Sequence, residues 1–286
     1  MEIRTVLILG AGTMGQMISL LCAEQGYKVH IYDIIEKSLK NAQERISRIA
    51  KKKAVDLLSH VTFYSNPKKA AEGVDLISES VPEDPELKGK VFQEFHTVCS
   101  SDTIFTSNTS SLLPSQFAEA SGRSERLCAL HFHDIRVTKI VDVMPHEGTT
   151  SEVIQIVTDF VRSIGQIPIV LKRENNGYVF NNMLMSFLAS ALTLAQKGVT
   201  SIEEIDKSWM GVMHTTVGPF AIMDSIGLET VWKITDYWAE KKDDRQAKAN
   251  AAFLKSYIDQ GKIGQKSGKG FYQYPNPTFK KPDFLS

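Results

Sequence analysis

The sequence is poor in cysteine, carries no excess of either charge and has no long apolar run. Its three cysteines in 286 residues, Cys22, Cys99 and Cys128, are odd in number and far apart. They frame neither a disulfide scaffold nor a zinc site, and the expected setting is a reducing cytoplasm. Thirty-three Lys and Arg balance 33 Asp and Glu. Without a basic excess there is little counterion release to drive duplex nucleic-acid binding, although a local basic patch stays open. No apolar run approaches the ~20 residues needed to cross a bilayer, and the first residues read as a strand rather than a signal peptide. Neither nucleic acid nor membrane is an expected partner. What is present is 42% apolar content, enough for one large or two ordinary domains at roughly 150 residues each.

Residues 1–171 alternate β-branched runs with amphipathic stretches, as repeating βα units do. Strands are expected at 4–9, 28–32, 61–64, 75–78, 103–106, 127–130, 140–143 and 167–171, with helices at 14–25, 36–53 and 150–163 among those between them. Several strands are almost wholly apolar, which predicts an all-parallel sheet buried on both faces. After Leu171 the strand signals stop. Residues 172–286 read as a second, all-α domain with helices at 176–197, 202–213, 219–241 and 246–260. The first of these is apolar on more than one face, so it is expected to be buried all round, within its own domain or against another subunit.

Gly10, Gly12 and Gly15 form G-x-G-x-x-G between the first strand and a helix. In that position Gly10 permits a tight turn, Gly12 lets backbone approach a pyrophosphate, Gly15 allows close helix packing, and the helix amino terminus attracts phosphates. The second strand ends at Tyr32-Asp33, where a carboxylate hydrogen-bonds the adenosine ribose and repels a 2′-phosphate, favouring NAD over NADP. The competing reading is a glycine turn that packs and binds nothing. A dinucleotide implies hydride chemistry, and an alcohol substrate needs a base for its proton; His is the usual choice at neutral pH. Of seven histidines, His131 follows a strand and falls at the sheet edge where ligands of open α/β folds bind. His30, His60 and His96 are expected to pack or face solvent. His133 shares the segment and is expected, by alternation, to point away from His131.

At this point the chain resembles the L-3-hydroxyacyl-CoA dehydrogenase family, including its 3-hydroxybutyryl-CoA dehydrogenases, over nearly its whole length. The resemblance rests on Gly-Ala-Gly-Thr-Met-Gly with Asp33, on Ser107-Asn108-Thr109-Ser110-Ser111-Leu112, and on His131-Phe132 followed by Val141-Asp142-Val143. It rests also on Gly218-Pro219-Phe220 paired with the run from Gly264 to Tyr272. It implies a Rossmann-type NAD-binding domain followed by an all-α C-terminal domain for substrate and dimerisation, with the active site in the cleft between them. The implied activity is oxidation of a short-chain 3-hydroxyacyl-CoA by NAD, or the reverse, by a cytoplasmic homodimer of fatty acid metabolism. His131 falls on the catalytic base, Asp142 on the residue that orients it, and Ser110 and Asn181 on positions that hold the C3 oxygen. Cofactor contacts fall on Asp33, Glu83, Lys88, Ser110, Asp134 and Lys266. Plainer readings make Ser110 a turn hydroxyl, Asn181 a core amide, and Glu83 and Lys88 solvated charges.

Two departures from the family lie beside the reacting centre. Asp142 stands where relatives carry Glu, and His131-Phe132-His133-Asp134-Ile135 replaces an HFxNP pattern, so Asp134 takes an asparagine's place. An ionised Asp134 cannot donate as the amide does, so either the substrate brings a donor or cation to it, or the loop is rebuilt and Asp134 points elsewhere. Residues 40–53 hold six Lys or Arg against Glu44. Lys52 falls on the family's coenzyme A lysine, although a basic helix end is also favoured by the helix dipole alone. Few residues separate Lys53 from the next strand. The departures keep open a dehydrogenase of a free 3-hydroxy acid, of gulonate or carnitine type, and an NAD-binding paralogue without turnover. The neutral total also hides a division: residues 1–171 carry 18 basic and 21 acidic groups, residues 172–286 carry 15 and 12.

Overall fold

The computed structural model describes residues 1–53 and 56–286, in two compact units, Met1–Val179 and Phe180–Ser286. Residues 172–179 therefore fold with the first unit. That unit contains one eight-stranded sheet of β1 (Thr5–Leu9), β2 (Lys28–Tyr32), β3 (Val61–Tyr64), β4 (Leu76–Glu79), β5 (Ile104–Ser107), β6 (Leu127–Phe132), β7 (Ile140–Pro145) and β8 (Ile167–Val170). Each lies within two residues of its expected span. The helices are α1 (Thr13–Glu24), α2 (Glu36–Lys53), α3 (Pro67–Ala70), α4 (Pro85–His96), α5 (Ser115–Ala118) and α6 (Ser151–Ser163). Every residue of β1, β4, β5 and β6 is buried. Val6 and Ile8 pack with Ile18, Val29 and Val157, while Leu7 and Leu9 pack with Phe92, Phe95 and Phe105. Alternate residues of one strand thus feed two cores, as a sheet covered on both faces requires.

The strand order is β3-β2-β1-β4-β5-β6-β7-β8. The chain leaves β1 for β2 on one side and returns to β4 on the other, which makes the carboxyl ends of β1 and β4 a topological switch point. The expected all-parallel sheet is corrected in one place: β7 runs antiparallel to β6, and β8 then follows β7 in parallel. Residues 133–139 are too few for a crossover to a parallel strand, which takes a dozen or more, so the chain turns back as a hairpin.

The second unit holds α7 (Phe180–Gln196), α8 (Ile202–Met213), α9 (Pro219–Ile226), α10 (Leu228–Lys242) and α11 (Arg245–Ile258) around Leu188, Leu192, Phe220, Met223, Val231 and Leu254. The single helix expected over 219–241 is broken at Gly227, whose φ of +98° no helix accommodates and few L side chains adopt. Its N–H closes α9 on Met223 O, and Leu228 N–H bonds Ile263 O. Of the two settings expected for α7, burial within its own domain is only partial: it buries Leu188, Ala191 and Leu192 while Phe180 and Met183 remain exposed. Among the described residues no helix is long and apolar enough to cross a membrane.

Candidate active site

The glycine loop has the shape its spacing demands. Gly10 sits at φ +101° with its N–H on Tyr32 O, and a Cβ there would lie 2.7 Å from Ser80 O. A Cβ on Gly15 would lie 2.0 Å from Gly10 O, whereas Gly12 has no heavy atom within 4 Å of its Cβ position. The one glycine facing open space is the one a pyrophosphate must approach. The first turn of α1 carries no acid to oppose a phosphate. Asp33 is half-buried and accepts Ala11 N–H on Oδ2 and Ile35 N–H on Oδ1, both at 2.8 Å. Its carboxylate braces the loop and retains lone pairs for ribose hydroxyls, so these residues fit an adenine dinucleotide.

Next to this loop, Asp84 caps α4 by accepting Leu87 N–H, with Pro85 in the first turn. This start turns Lys88 inward. Its ammonium donates to Glu79 Oε1 at 2.7 Å and lies 3.4 Å from Glu83 Oε2, and the side chain is 1% exposed. The reading of Lys88 as a solvated charge is corrected: its ammonium is buried between two carboxylates. Glu79 also accepts Val81 N–H and Ser107 Oγ–H. Burial pushes its carboxyl above the ordinary range, against the pull of Lys88 and these donors. Glu83 Oε1 takes Thr109 Oγ1–H at 2.5 Å, the N–H groups of Ser110 and Ser111 at 3.1 Å, and Ser111 Oγ–H at 2.8 Å. Partial burial disfavours its charge, but these hydrogen bonds and Lys88 outweigh that and lower its pKa. The loop carrying Ser110 thus hangs from Glu83, which Lys88 steadies from inside.

On β6, His131 stands directly opposite Asp142 of β7 in the antiparallel register. Cross-strand partners share a face at close range, so the shorter acid still reaches: His131 Nδ1 lies 3.1 Å from Asp142 Oδ2. His133 Nε2 lies 2.9 Å from the same oxygen, and the two rings are 4.4 Å apart. The expectation that His133 points away is corrected. Neighbouring residues alternate, but residues two apart return to one face. Burial is the largest single influence and disfavours a charged Asp142, yet the hydrogen bonds and electrostatic pull of the two histidines together outweigh it and lower its pKa. An ionised carboxylate only accepts, so both ring nitrogens facing it carry protons, and the free lone pair of a neutral His131 ring is then on Nε2. Tyr178, 1% exposed, packs its ring at a tilt against His131, centroids 4.8 Å apart, and donates its hydroxyl to Thr109 O at 2.7 Å. It joins the histidine to the Ser110 loop. Asn108 does likewise by accepting Phe132 N–H at 2.8 Å.

Asp134 belongs to the turn between β6 and β7. Its Oδ1 accepts Arg136 N–H and Nε–H, and its Oδ2 accepts Nη2–H at 2.6 Å. Arg136 holds the Asp134 carboxyl down at about 2. Within this chain the partner of Asp134 is a cation two residues on, and its side chain stays partly exposed. Lys52 is exposed near the end of α2. Asn181, half-buried, opens α7, and Lys266, exposed, lies in a 3₁₀ turn over Gln265–Ser267. In that second unit the paired motifs turn out to be gripped by buried acids. Asp206 accepts Phe220 N–H, Ala221 N–H and Tyr272 O–H, and Asp224 accepts Phe271 N–H, Tyr272 N–H and Tyr274 O–H. A Cβ on Gly218 would lie 2.4 Å from Asp206 Cγ, and one on Gly270 would lie 2.0 Å from Asp224 Oδ1.

Comparison with known proteins finds two family profiles. Residues 5–174 match the 3-hydroxyacyl-CoA dehydrogenase NAD binding domain, and residues 177–274 match the 3-hydroxyacyl-CoA dehydrogenase C-terminal domain. The mitochondrial hydroxyacyl-coenzyme A dehydrogenase of Rattus norvegicus is 30% identical over 288 residues, covering 95% of this chain and 91% of the relative. Two solved structures cover 96% of this chain and all of their own, each with a TM-score of 0.86. They are a diketoreductase described as acting on dicarbonyl compounds, 34% identical, and an (S)-3-hydroxybutyryl-CoA dehydrogenase from Ralstonia eutropha, 26% identical.

Proposed function

Because the chain belongs to the 3-hydroxyacyl-CoA dehydrogenase family and binds NAD through its first unit, we propose that it interconverts a short-chain L-3-hydroxyacyl-CoA, such as 3-hydroxybutyryl-CoA, and its 3-oxo thioester. The observation that carries this reading is the buried His131–Asp142 pair at the carboxyl end of β6. Asp142 holds the His131 Nδ1 proton, so Nε2 takes the proton of the C3 hydroxyl on oxidation and returns it on reduction. Asp142 also stabilises the imidazolium that forms between those events. NAD, when bound, supplies the acceptor for the C3 hydride. Ser110 is exposed on a loop tethered by Glu83 and holds the C3 oxygen, where a donor counts most as charge develops. Asn181 shares that role, and Lys266 a cofactor role, on resemblance alone. Gly12 and the start of α1 receive the pyrophosphate, Asp33 the ribose, and Lys52 a coenzyme A phosphate. Lys88 acts on the cofactor side only through Glu83. The exposed Phe180 and Met183 of α7 supply apolar surface for a homodimer.

NADH oxidation followed with acetoacetyl-CoA and with free 3-oxo acids tests the reading. The thioester is expected to be the better substrate by kcat/KM. Preference for the free acid would move the assignment to a free 3-hydroxy acid dehydrogenase, and NAD binding without turnover of either would make the chain a sensor.

A further inference from the structure

We propose that His131, His133 and Asp142 also form a binding site for a divalent transition-metal ion of the zinc class, and that occupancy switches the dehydrogenase off. One donor atom from each residue lies within 4.8 Å of the other two. The two ring nitrogens address a single oxygen, Asp142 Oδ2, at 3.1 and 2.9 Å. The side chains are 7%, 13% and 1% exposed. Metal–nitrogen and metal–oxygen bonds of roughly 2.0–2.2 Å place neighbouring ligands of a tetrahedral ion about 3.3 Å apart. The observed nitrogen–oxygen separations need to open by only a few tenths of an ångström, while the two ring nitrogens, within 4.8 Å of each other, must draw together toward that spacing. Two imidazoles and one carboxylate with a fourth position for water make a three-ligand open site, suited to Zn2+ and to related ions such as Co2+.

The same geometry serves a doubly hydrogen-bonded carboxylate, so what matters is the consequence of exchanging protons for a cation. Without metal, the proton of neutral His131 sits on Nδ1, facing Asp142, and Nε2 holds the lone pair. A metal binds Nδ1 only through a lone pair, so the proton of the neutral ring must move to Nε2. There it can donate but cannot accept, and the atom assigned to take the substrate proton is disabled. Inhibition then follows from a tautomer, with no block of the nicotinamide or acyl positions. His133 makes this possible, because His131 and Asp142 alone are two ligands and not three.

The inhibitory consequence rests on the dehydrogenase reading, but metal binding does not, and the experiment separates them. The full chain is titrated with Co2+ under a visible spectrophotometer. A ligand-field band saturating at one equivalent and displaced by Zn2+ is expected. His133→Phe and His133→Asn, both at a partly exposed ring, are each expected to weaken binding at least about 10-fold, with cooperative thermal unfolding retained as a check on folding. Zn2+ is then expected to suppress acetoacetyl-CoA reduction with the midpoint of its binding, without competing with NADH, and EDTA to restore it. A spectrum equal to that of aqueous Co2+, or binding unaltered in both His133 variants, overturns the site. Binding without inhibition of an active enzyme overturns the switch. If acetoacetyl-CoA is not a substrate, the Co2+ titration still decides the site.

Discussion

Replacing Asp206 by Asn tests whether a buried carboxylate governs the pH dependence of the helical unit. Asp206 is fully buried, and burial together with the charge of Asp224 outweighs its three hydrogen bonds, raising its pKa from 3.8 to about 6. A shift of about 2 units corresponds to about 3 kcal/mol. Because the folded pKa is the higher one, the folded chain holds the proton more tightly than the unfolded chain between about pH 4 and 6. This contribution is intact below the unfolded pKa and is lost as pH rises through the folded pKa. In Asp206→Asn, Oδ1 still accepts Phe220 N–H. The amide NH2 then faces Ala221 N–H and the Tyr272 hydroxyl in place of Oδ2; the hydroxyl can turn to accept from the amide, but the backbone N–H cannot, so one buried backbone donor is orphaned at about 1–3 kcal/mol. The variant is therefore expected to be less stable than the parent near pH 4 and to equal or exceed it at pH 7. Trp209, Trp232 and Trp238 are the chain's three tryptophans, and all lie in the second unit, so urea unfolding followed by tryptophan fluorescence reads that unit selectively. A parent-minus-variant difference that stays constant within about 0.5 kcal/mol from pH 4 to 7 would refute the reasoning.

Tyr178→Phe keeps the ring against His131 but leaves Thr109 O without its donor. We expect about 1–3 kcal/mol lost in stability and a lower kcat with a smaller change in KM; steady-state kinetics and urea midpoints equal to the parent's would remove Tyr178 from the positioning of the Ser110 loop. Lys88→Met strands the Glu79 carboxylate and should cost about 3–5 kcal/mol at neutral pH and above. The cost should shrink in acid, where Glu79 escapes by protonation because its pKa is already raised; a pH-independent loss under 1 kcal/mol in chemical denaturation would contradict the buried pair. His131→Ala should lower kcat at least about 100-fold with NAD affinity retained, and activity surviving at the parental rate would end its assignment as the base.

Much of the sheet was legible because a strand buried on both faces is apolar at most of its residues, a pattern that polar α2 or the surface turns cannot imitate. The glycine loop was legible for a similar reason, since Gly10 and Gly15 meet backbone where any side chain would collide. What escaped were facts of pairing. Glu79 ends an apolar strand and reads as a boundary residue until Lys88, nine positions on, is seen to fold back onto it. Arg136 reads as a surface charge until the turn clasps it to Asp134. The break at Gly227 is invisible to helical periodicity because the apolar pattern continues across it while the backbone does not. His133 was available from period-two reasoning alone, correctly applied. In the second unit, sequence marked Gly218 and Gly270 as parts of a motif, but only the positions of Asp206 and Asp224 explain why each must be glycine.

The hairpin sets how an aspartate can reach His131. Were β7 parallel to β6, a long crossover would separate the two strands in sequence, and nothing would require His131 and Asp142 to stand opposite one another. The seven residues 133–139 force the antiparallel return, and its register sets Asp142 directly across from His131. With the backbones at cross-strand distance, an aspartate spans a gap that a wider spacing would leave to a glutamate. The same short reach leaves Asp142 Oδ2 close to the sheet, where His133, two residues past His131 on the same face, also finds it. The short hairpin, the aspartate and His133 therefore meet at one oxygen, and any property of that oxygen, whether proton affinity or metal affinity, depends on all three.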